Sequence, residues 1–209
     1  MVGNLLLARR DWVELKQLSN ETIALSEKYG HEDGLLLSTQ FQLIASCMLG
    51  DDVSALPSLC ALMEQERATG CTGRNLISGH VHAAEAAIQA GQLDLAQHLN
   101  ALATLLMEER GMRAWEPEVW RVRAELLLAQ DPANTQEAED CLQRALAISR
   151  SRKGRSLELR AALSLARLRV SQNRARDAVA LIQPVYDRFT QGFETLDLVQ
   201  AKAMLLTKI

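Results

Sequence analysis

The chain is poor in aromatic residues, at 4%, and holds only 4 Pro in 209 residues. Val and Ile are sparse beside Leu and Ala. That balance argues against strand, which favours β-branched and aromatic side chains. It argues for helix, where Ala and straight-chain residues lose little rotamer freedom. No stretch alternates apolar and polar strictly enough to read as a strand. No apolar run reaches the length of about 18 residues that a membrane-spanning helix needs, so no membrane span is expected. The four cysteines, Cys47, Cys60, Cys71 and Cys141, form no C-x2-C pair, and their gaps fit no zinc or disulfide framework. Cys47, Cys60 and Cys141 lie on apolar helical faces and read as small core residues, with a reducing cytoplasm as the expected setting. No G-x4-G-K-[ST] loop is present to cradle a nucleotide phosphate. No Gly/Ser/Pro-rich linker divides the chain, which predicts one domain over 1–209.

What is present is a period. Ala178-x3-Ile182-x2-Val185 is one face of a helix, and the same small-x3-large-x2-apolar pattern recurs upstream. Ala55-x3-Leu59-x2-Leu62 and Ala138-x3-Leu142-x2-Ala145 repeat it, and Ala96-x3-Asn100-x2-Ala103 repeats it with one polar residue. The leading alanines are 41, 42 and 40 residues apart. Turn markers Gly50, Gly91, Asp131 and Asn173 keep the same spacing. Two features repeating in phase at that length mark a stacked helical repeat.

The period predicts helix pairs A and B in four repeats, at about 31–70, 71–111, 112–154 and 155–192. Residues 1–30 are then the remainder of a preceding repeat, and 193–209 a helix capping the stack. The apolar opening, MVGNLLLA, is too short for a leader and reads as the tail of a helix that begins upstream. Gly at 30, 50, 70, 91, 111, 154 and 192 is expected to stop helices, and Pro117 and Pro57 fall in first turns, where a missing N–H is tolerated. Ala at the helix crossings lets backbones approach closely. Ala166 lies twelve residues before Ala178, and Ala84 twelve before Ala96. That is the spacing between the small residues of the two helices in tetratricopeptide (TPR) repeats.

Net charge is −3, which excludes a chain built as a whole to bind nucleic acid or an anionic membrane. The charge is uneven. Arg150 to Ile209 holds 12 Lys+Arg and 5 Asp+Glu, a net of +7, leaving −10 for the rest. The basic end suits an acidic partner or neighbouring domain, against the plainer reading of a solvated face. Trp115, Trp120 and Arg121 are candidates for a partner-binding surface, because Trp and Arg are frequent at hot spots. Packing under the 131–135 turn is the alternative. Arg167 and Arg169 extend the candidate surface within a cluster completed by Arg174 and Arg176; no aromatic interleaving favours nucleic acid there. His80 and His82 are two apart and point to different sides of a helix, which does not suit a metal. Residues 70–74 could form an anion nest, though an ordinary connection between repeats explains them. Glu158 and Arg160 either dock adjacent repeats or solvate a face.

Several segments resemble a known family. ELRAALSLARL at 158–168 matches its ELRAA-x-SLARL, and PVYDRFTQGFETLDLVQAKAML at 184–205 is similar to its P-x-Y-x-x-FTEGFDT-x-DL-x-x-AK-x-LL ending. AEDCLQRALAISR at 138–150, AWEPEVWRVRAELLLA at 114–129 and RDWVELKQL at 10–18 also fit. The departures are Gln191, Glu194, Trp120 and Asn100. The family is the C-terminal TPR-like region of large bacterial signalling proteins that carry an AAA-type ATPase module, often with a nucleotide cyclase or a DNA-binding transcription-activator domain. The resemblance implies an all-α, α-α superhelix (a TPR-like solenoid) of about four antiparallel helix pairs with a C-terminal capping helix. It implies a non-catalytic interaction or regulatory domain of a cytoplasmic bacterial signal-transduction protein, without a cofactor or metal. Alternatives are the regulatory part of a cyclase or ATPase acting in cis, or the ligand-sensing region of a transcription regulator. Expected partners are a protein or peptide, neighbouring domains of a longer chain or a small effector, held on the A helices. Nucleic acid is not expected, and self-association could arise at the open end formed by residues 1–9.

Overall fold

The computed structural model describes residues 2–52, 54–68 and 76–206. The described residues form eleven α-helices and one 3-10 turn, in two compact units that meet in sequence at Arg110 and Gly111. Unit 1 holds α1 (Val2–Arg9), α2 (Trp12–Tyr29), α3 (Glu32–Leu49), α4 (Ala55–Ala68), α5 (Leu76–Gln89) and α6 (Leu93–Arg110). Unit 2 holds the 3-10 turn Arg113–Trp115, α7 (Glu116–Gln130), α8 (Thr135–Ser151), α9 (Arg155–Ser171), α10 (Ala175–Tyr186) and α11 (Leu196–Leu206).

Within each unit every helix packs on the next in sequence, and A helices also touch one repeat apart: α3 with α5, α7 with α9, α9 with α11. The reason is the alanine ladder. Ala55, Ala96, Ala138 and Ala178, one per B helix, are all fully buried, so the small side chains do sit at crossings. In unit 2, α9 presents two apolar faces. Ala161, Ala162, Leu165 and Leu168 pack with Ala138, Cys141, Leu142 and Ala145 of α8. Leu159, Leu163 and Ala166 pack with Ala178, Ile182 and Val185 of α10 and with Leu198 and Ala201 of α11. A helix apolar on both sides is an interior element.

The turns follow the expected chemistry with three corrections. Gly50, Gly91 and Asn173 adopt left-handed backbone, with φ of 68°, 71° and 61°. Asp131 does not: it is extended, at φ −150°, and its carboxylate accepts the backbone N–H of Ala133 at 2.9 Å, as a longer connection requires. Nor is Gly154 the left-handed residue after α8. Lys153 takes that conformation, φ 57°, and Gly154 precedes α9 as its N-cap. Helix α10 ends at Tyr186, short of the expected 190, because Pro184 removes an N–H and crowds the preceding turn. The expected stop at Gly70 and the residue Cys71 lie outside the described residues.

Helix α11 covers the α9–α10 core with Leu198 and Ala201, as a cap would. Its outer face is not polar, however: Val199 is 49% and Leu206 70% exposed. On α1, Val2 and Leu5 are likewise exposed. No helix among the described residues is long and apolar enough to cross a membrane.

Candidate interaction surface

The A helices of unit 2 are joined by a buried relay of charge. Arg160 on α9 is 2% exposed. Its Nε and Nη2 donate to Asp197 Oδ2 on α11 at 3.0 and 2.9 Å, and its Nη1 donates to Glu118 Oε2 on α7 at 3.0 Å. Arg121, one turn along α7, donates to Glu118 Oε2 at 3.0 Å and to Glu125 Oε1 at 2.7 Å. Ser164 Oγ on α9 donates to that same Glu125 oxygen at 2.9 Å. Burial works against the Arg160 charge, but Glu118 and Asp197 outweigh it and hold its pKa above the ordinary arginine value. Two guanidiniums and three carboxylates hold α7, α9 and α11 in one register.

The five candidate residues do not form one patch. Arg121 is 1% exposed and belongs to the relay, so it presents no surface. Trp120 is half-buried against the α8–α9 core, its ring 3.9 Å from the Arg144 guanidinium carbon and 5.5 Å from that of Arg123. Trp115 is half-buried in the 3-10 turn. Arg167 is exposed and donates to Gln200 on α11 at 2.7 Å. Arg169 is half-buried and lies 3.6 Å from Glu139, which Arg174 also engages at 3.3 Å. Much of the basic cluster at this end of α9 is thus spent on neighbouring groups.

A second cationic group lies at the opposite end of α9, where α8 hands over to it. Glu158 is buried, yet its carboxylate accepts from Arg150 Nε at 2.9 Å and from Arg188 Nη2. Burial raises the pKa of this carboxyl, but the hydrogen bonds and charges of Arg188 and Arg150 prevail and hold it below the usual value. Glu116, also buried, lies 2.5 Å from Arg152 and 3.3 Å from Arg113. Arg152 further donates to the Arg113 carbonyl, and Arg155 to that of Arg188 at 3.3 Å. In the sequence Glu158 stands out, but this edge does not. The signal for it was the run Arg150-Ser151-Arg152-Lys153-Gly154-Arg155 at a turn.

In unit 1, α5 is buried continuously from Leu76 to Ala87. His80 Nδ1 lies 2.7 Å from the Leu76 carbonyl, and His82 Nδ1 2.7 Å from that of Ser78. Burial, with Arg67 and His98 nearby, holds the His80 pKa below its ordinary value despite the Leu76 bond. Trp12 meets the His82 ring edge-on at 5.6 Å, and Arg10 pairs with Glu85 at 2.6 Å. These histidines are satisfied packing groups, and no cluster of three metal-ligating side chains occurs among the described residues. Cys47, half-buried, has its thiol pKa pushed up to about 12, chiefly by burial and then by Cys60 and Asp52, so it stays a protonated thiol. An open hollow of about 550 Å³ lies between α2 and the end of α3, lined by Val13, Lys16, Gln17, Leu49 and Asp51. The anion nest considered for 70–74 lies outside the described residues.

Because α5 and α9 are buried along most of their length, these two A helices offer little open surface to a peptide. The exposed chemistry is at helix ends. No protein-family model and no curated protein matches the chain. Among solved structures, it is similar to a Podospora anserina protein described as a kinesin light chain with nearly identical TPR-like repeats. The TM-score is 0.57 at 18% identity, over 89% of this chain and 90% of that one. The chain therefore has the fold of an all-α, TPR-like helical repeat.

Proposed function

We propose that the chain is a non-catalytic interaction domain that regulates a bacterial signal-transduction protein. The observation that carries this reading is the repeated crossing of A and B helices at buried alanines, with no strand–loop–helix phosphate cradle in the sequence. Such arrays present extended surfaces to other proteins. The segments at 158–168 and 184–205 support a parent with an AAA-type ATPase module and a cyclase or transcription-activator output. The alanine spacing of 41, 42 and 40 residues continues past residue 110, so each unit carries the same repeat pattern. Occupancy of its surface shifts the packing of A helices, and that shift biases the output domain.

The purified chain with ATP or GTP and Mg²⁺ is expected to give no hydrolysis and no cyclic nucleotide; turnover would remove the non-catalytic reading. In the protein as encoded, Arg160→Met is expected to alter the activity of the output domain while that domain's own melting transition stays in place. Unchanged output would remove control in cis.

A further inference from the structure

We infer that the end of unit 2 where α8 hands over to α9 is a docking surface for an acidic segment of a partner protein. The inference rests on the interaction-domain reading and gives that reading a surface and a partner chemistry.

Unit 2 carries 16 Lys+Arg and 12 Asp+Glu, an excess of +4. Six of those cations, Arg113, Arg150, Arg152, Lys153, Arg155 and Arg188, belong to this edge, with Glu116, Glu158 and Asp187 among them. The rest of the unit carries ten cations against nine carboxylates. Most of the excess of the unit is therefore gathered in one place. Bonds tie five of the six into two sets: Arg113 and Arg152 through Glu116, and Arg150 and Arg188 through Glu158, with Arg155 on the Arg188 carbonyl.

What a visitor meets is decided by burial. The side chains of Glu116 and Glu158 are 6% and 5% exposed, whereas those of Arg113, Arg150, Arg152 and Arg188 are between 39% and 56% exposed. Each buried carboxylate thus holds two guanidiniums whose side chains stay substantially exposed. Holding them in place lowers the ordering entropy that a partner's carboxylates would otherwise have to offset. Clustered, oriented arginines are how acidic motifs are read in proteins. Asp187, the exposed carboxylate beside Arg188, accepts from Gln183 at 2.7 Å.

Nucleic acid fits less well. Its backbone calls for a stripe of cations, and a single strand calls for a row of exposed rings. These cations form a knot at helix ends, and the aromatics beside them in sequence, Trp115, Tyr186 and Phe189, are half-buried.

The test is fluorescence anisotropy with the full chain and three labelled probes: a Glu/Asp-rich peptide, its Gln/Asn counterpart and a single-stranded DNA of equal charge. Saturable binding of the acidic peptide is expected, weakening as NaCl rises, with none for the amide peptide. The double variant K153E/R155E should lose about tenfold or more in affinity, because charge at a docking edge governs encounter and specificity. Neither side chain bonds Glu116 or Glu158, so its circular dichroism should match the parent chain. R176E, in the first turn of α10, should bind as the parent does. No saturable binding, tighter binding of DNA than of the acidic peptide, or an equal loss in R176E would each overturn the assignment. ATP turnover would strike the parent reading alone, so the two failures are separable.

Discussion

The two units hold their A helices together by opposite means. In unit 1, α5 approaches α3 and α4 through a missing side chain: a Cβ on Gly79 would lie 2.6 Å from Gln40 Nε2 and 2.9 Å from Met63 Sδ. In unit 2, α9 reaches α7 and α11 through a large charged side chain, Arg160, that fills the space and bonds both neighbours. One joint depends on closeness, the other on a complete set of charges. Close packing degrades gradually as side chains adjust. A buried ionic relay fails abruptly, because removing one member strands the others away from water.

The largest effect is therefore expected at Arg160. Arg160→Leu leaves Glu118 and Asp197 buried without their shared cation and should cost about 3–5 kcal/mol. Trp12 lies in unit 1 and Trp115 and Trp120 in unit 2, so Trp12→Phe leaves a tryptophan signal from unit 2 alone. Urea denaturation followed in that background should show the early transition in unit 2. A loss below about 1 kcal/mol, the scale of exposed pairs, would mean that the relay is not what joins these helices.

Gly79→Val asks the same question of the other unit. Overpacking typically costs about 1–3 kcal/mol, and here the neighbours that must move are the flexible ends of Gln40 and Met63. The expected loss is therefore smaller than at Arg160. It should fall on the transition reported by Trp12, which packs on the same helix through His82. Wild-type stability in this variant would place the close approach elsewhere.

Acid should separate the units by pH. The folded pKa of His80 lies below its unfolded value near 6.5, so below that pH the unfolded chain binds more protons and unit 1 loses stability as pH falls. Glu66, whose folded pKa is raised by burial, acts the other way: its contribution weakens as pH rises from about 4.5 through its folded pKa. In unit 2, Glu158 has a lowered folded pKa, so its stabilisation is intact above about 4.5 and fades only as pH falls through the folded value. Melting curves between pH 7 and pH 5 should thus weaken unit 1 first, and His80→Gln should flatten that slope. A slope unchanged in His80→Gln would assign it to another group.

Much of the architecture was legible because it repeats. The alanines at 55, 96, 138 and 178 and the turns at 50, 91 and 173 carry their meaning in spacing, and burial and backbone geometry agree with them. The exceptions are local contests. Lys153 accepted a left-handed backbone that Gly154 could have taken, and Pro184 shortened α10. The site was legible only in part. Glu118 and Arg160 lie 42 residues apart, within the period, whereas Asp197 follows Arg160 by 37 and falls outside it. But charged residues in helices are mostly solvated, and only three-dimensional packing shows that these are inside. Arg121 shows the reverse error: a residue chosen for a surface is among the most buried in the molecule.

The smallest effect sharpens the contrast between inside and outside. Lys16 on α2 pairs with both oxygens of Asp51 at 2.8 Å, a geometry as good as any in the Arg160 relay. Its side chain is 26% exposed and that of Asp51 44%, so water and salt screen the pair. Lys16→Ala is expected to cost at most about 1 kcal/mol, and less in high salt. Distance alone would rank this pair with Arg160–Asp197; desolvation separates them. A double-mutant cycle on Lys16 and Asp51, compared with one on Arg160 and Asp197, measures that separation directly. Equal coupling energies would show that burial is not the quantity that distinguishes the two units.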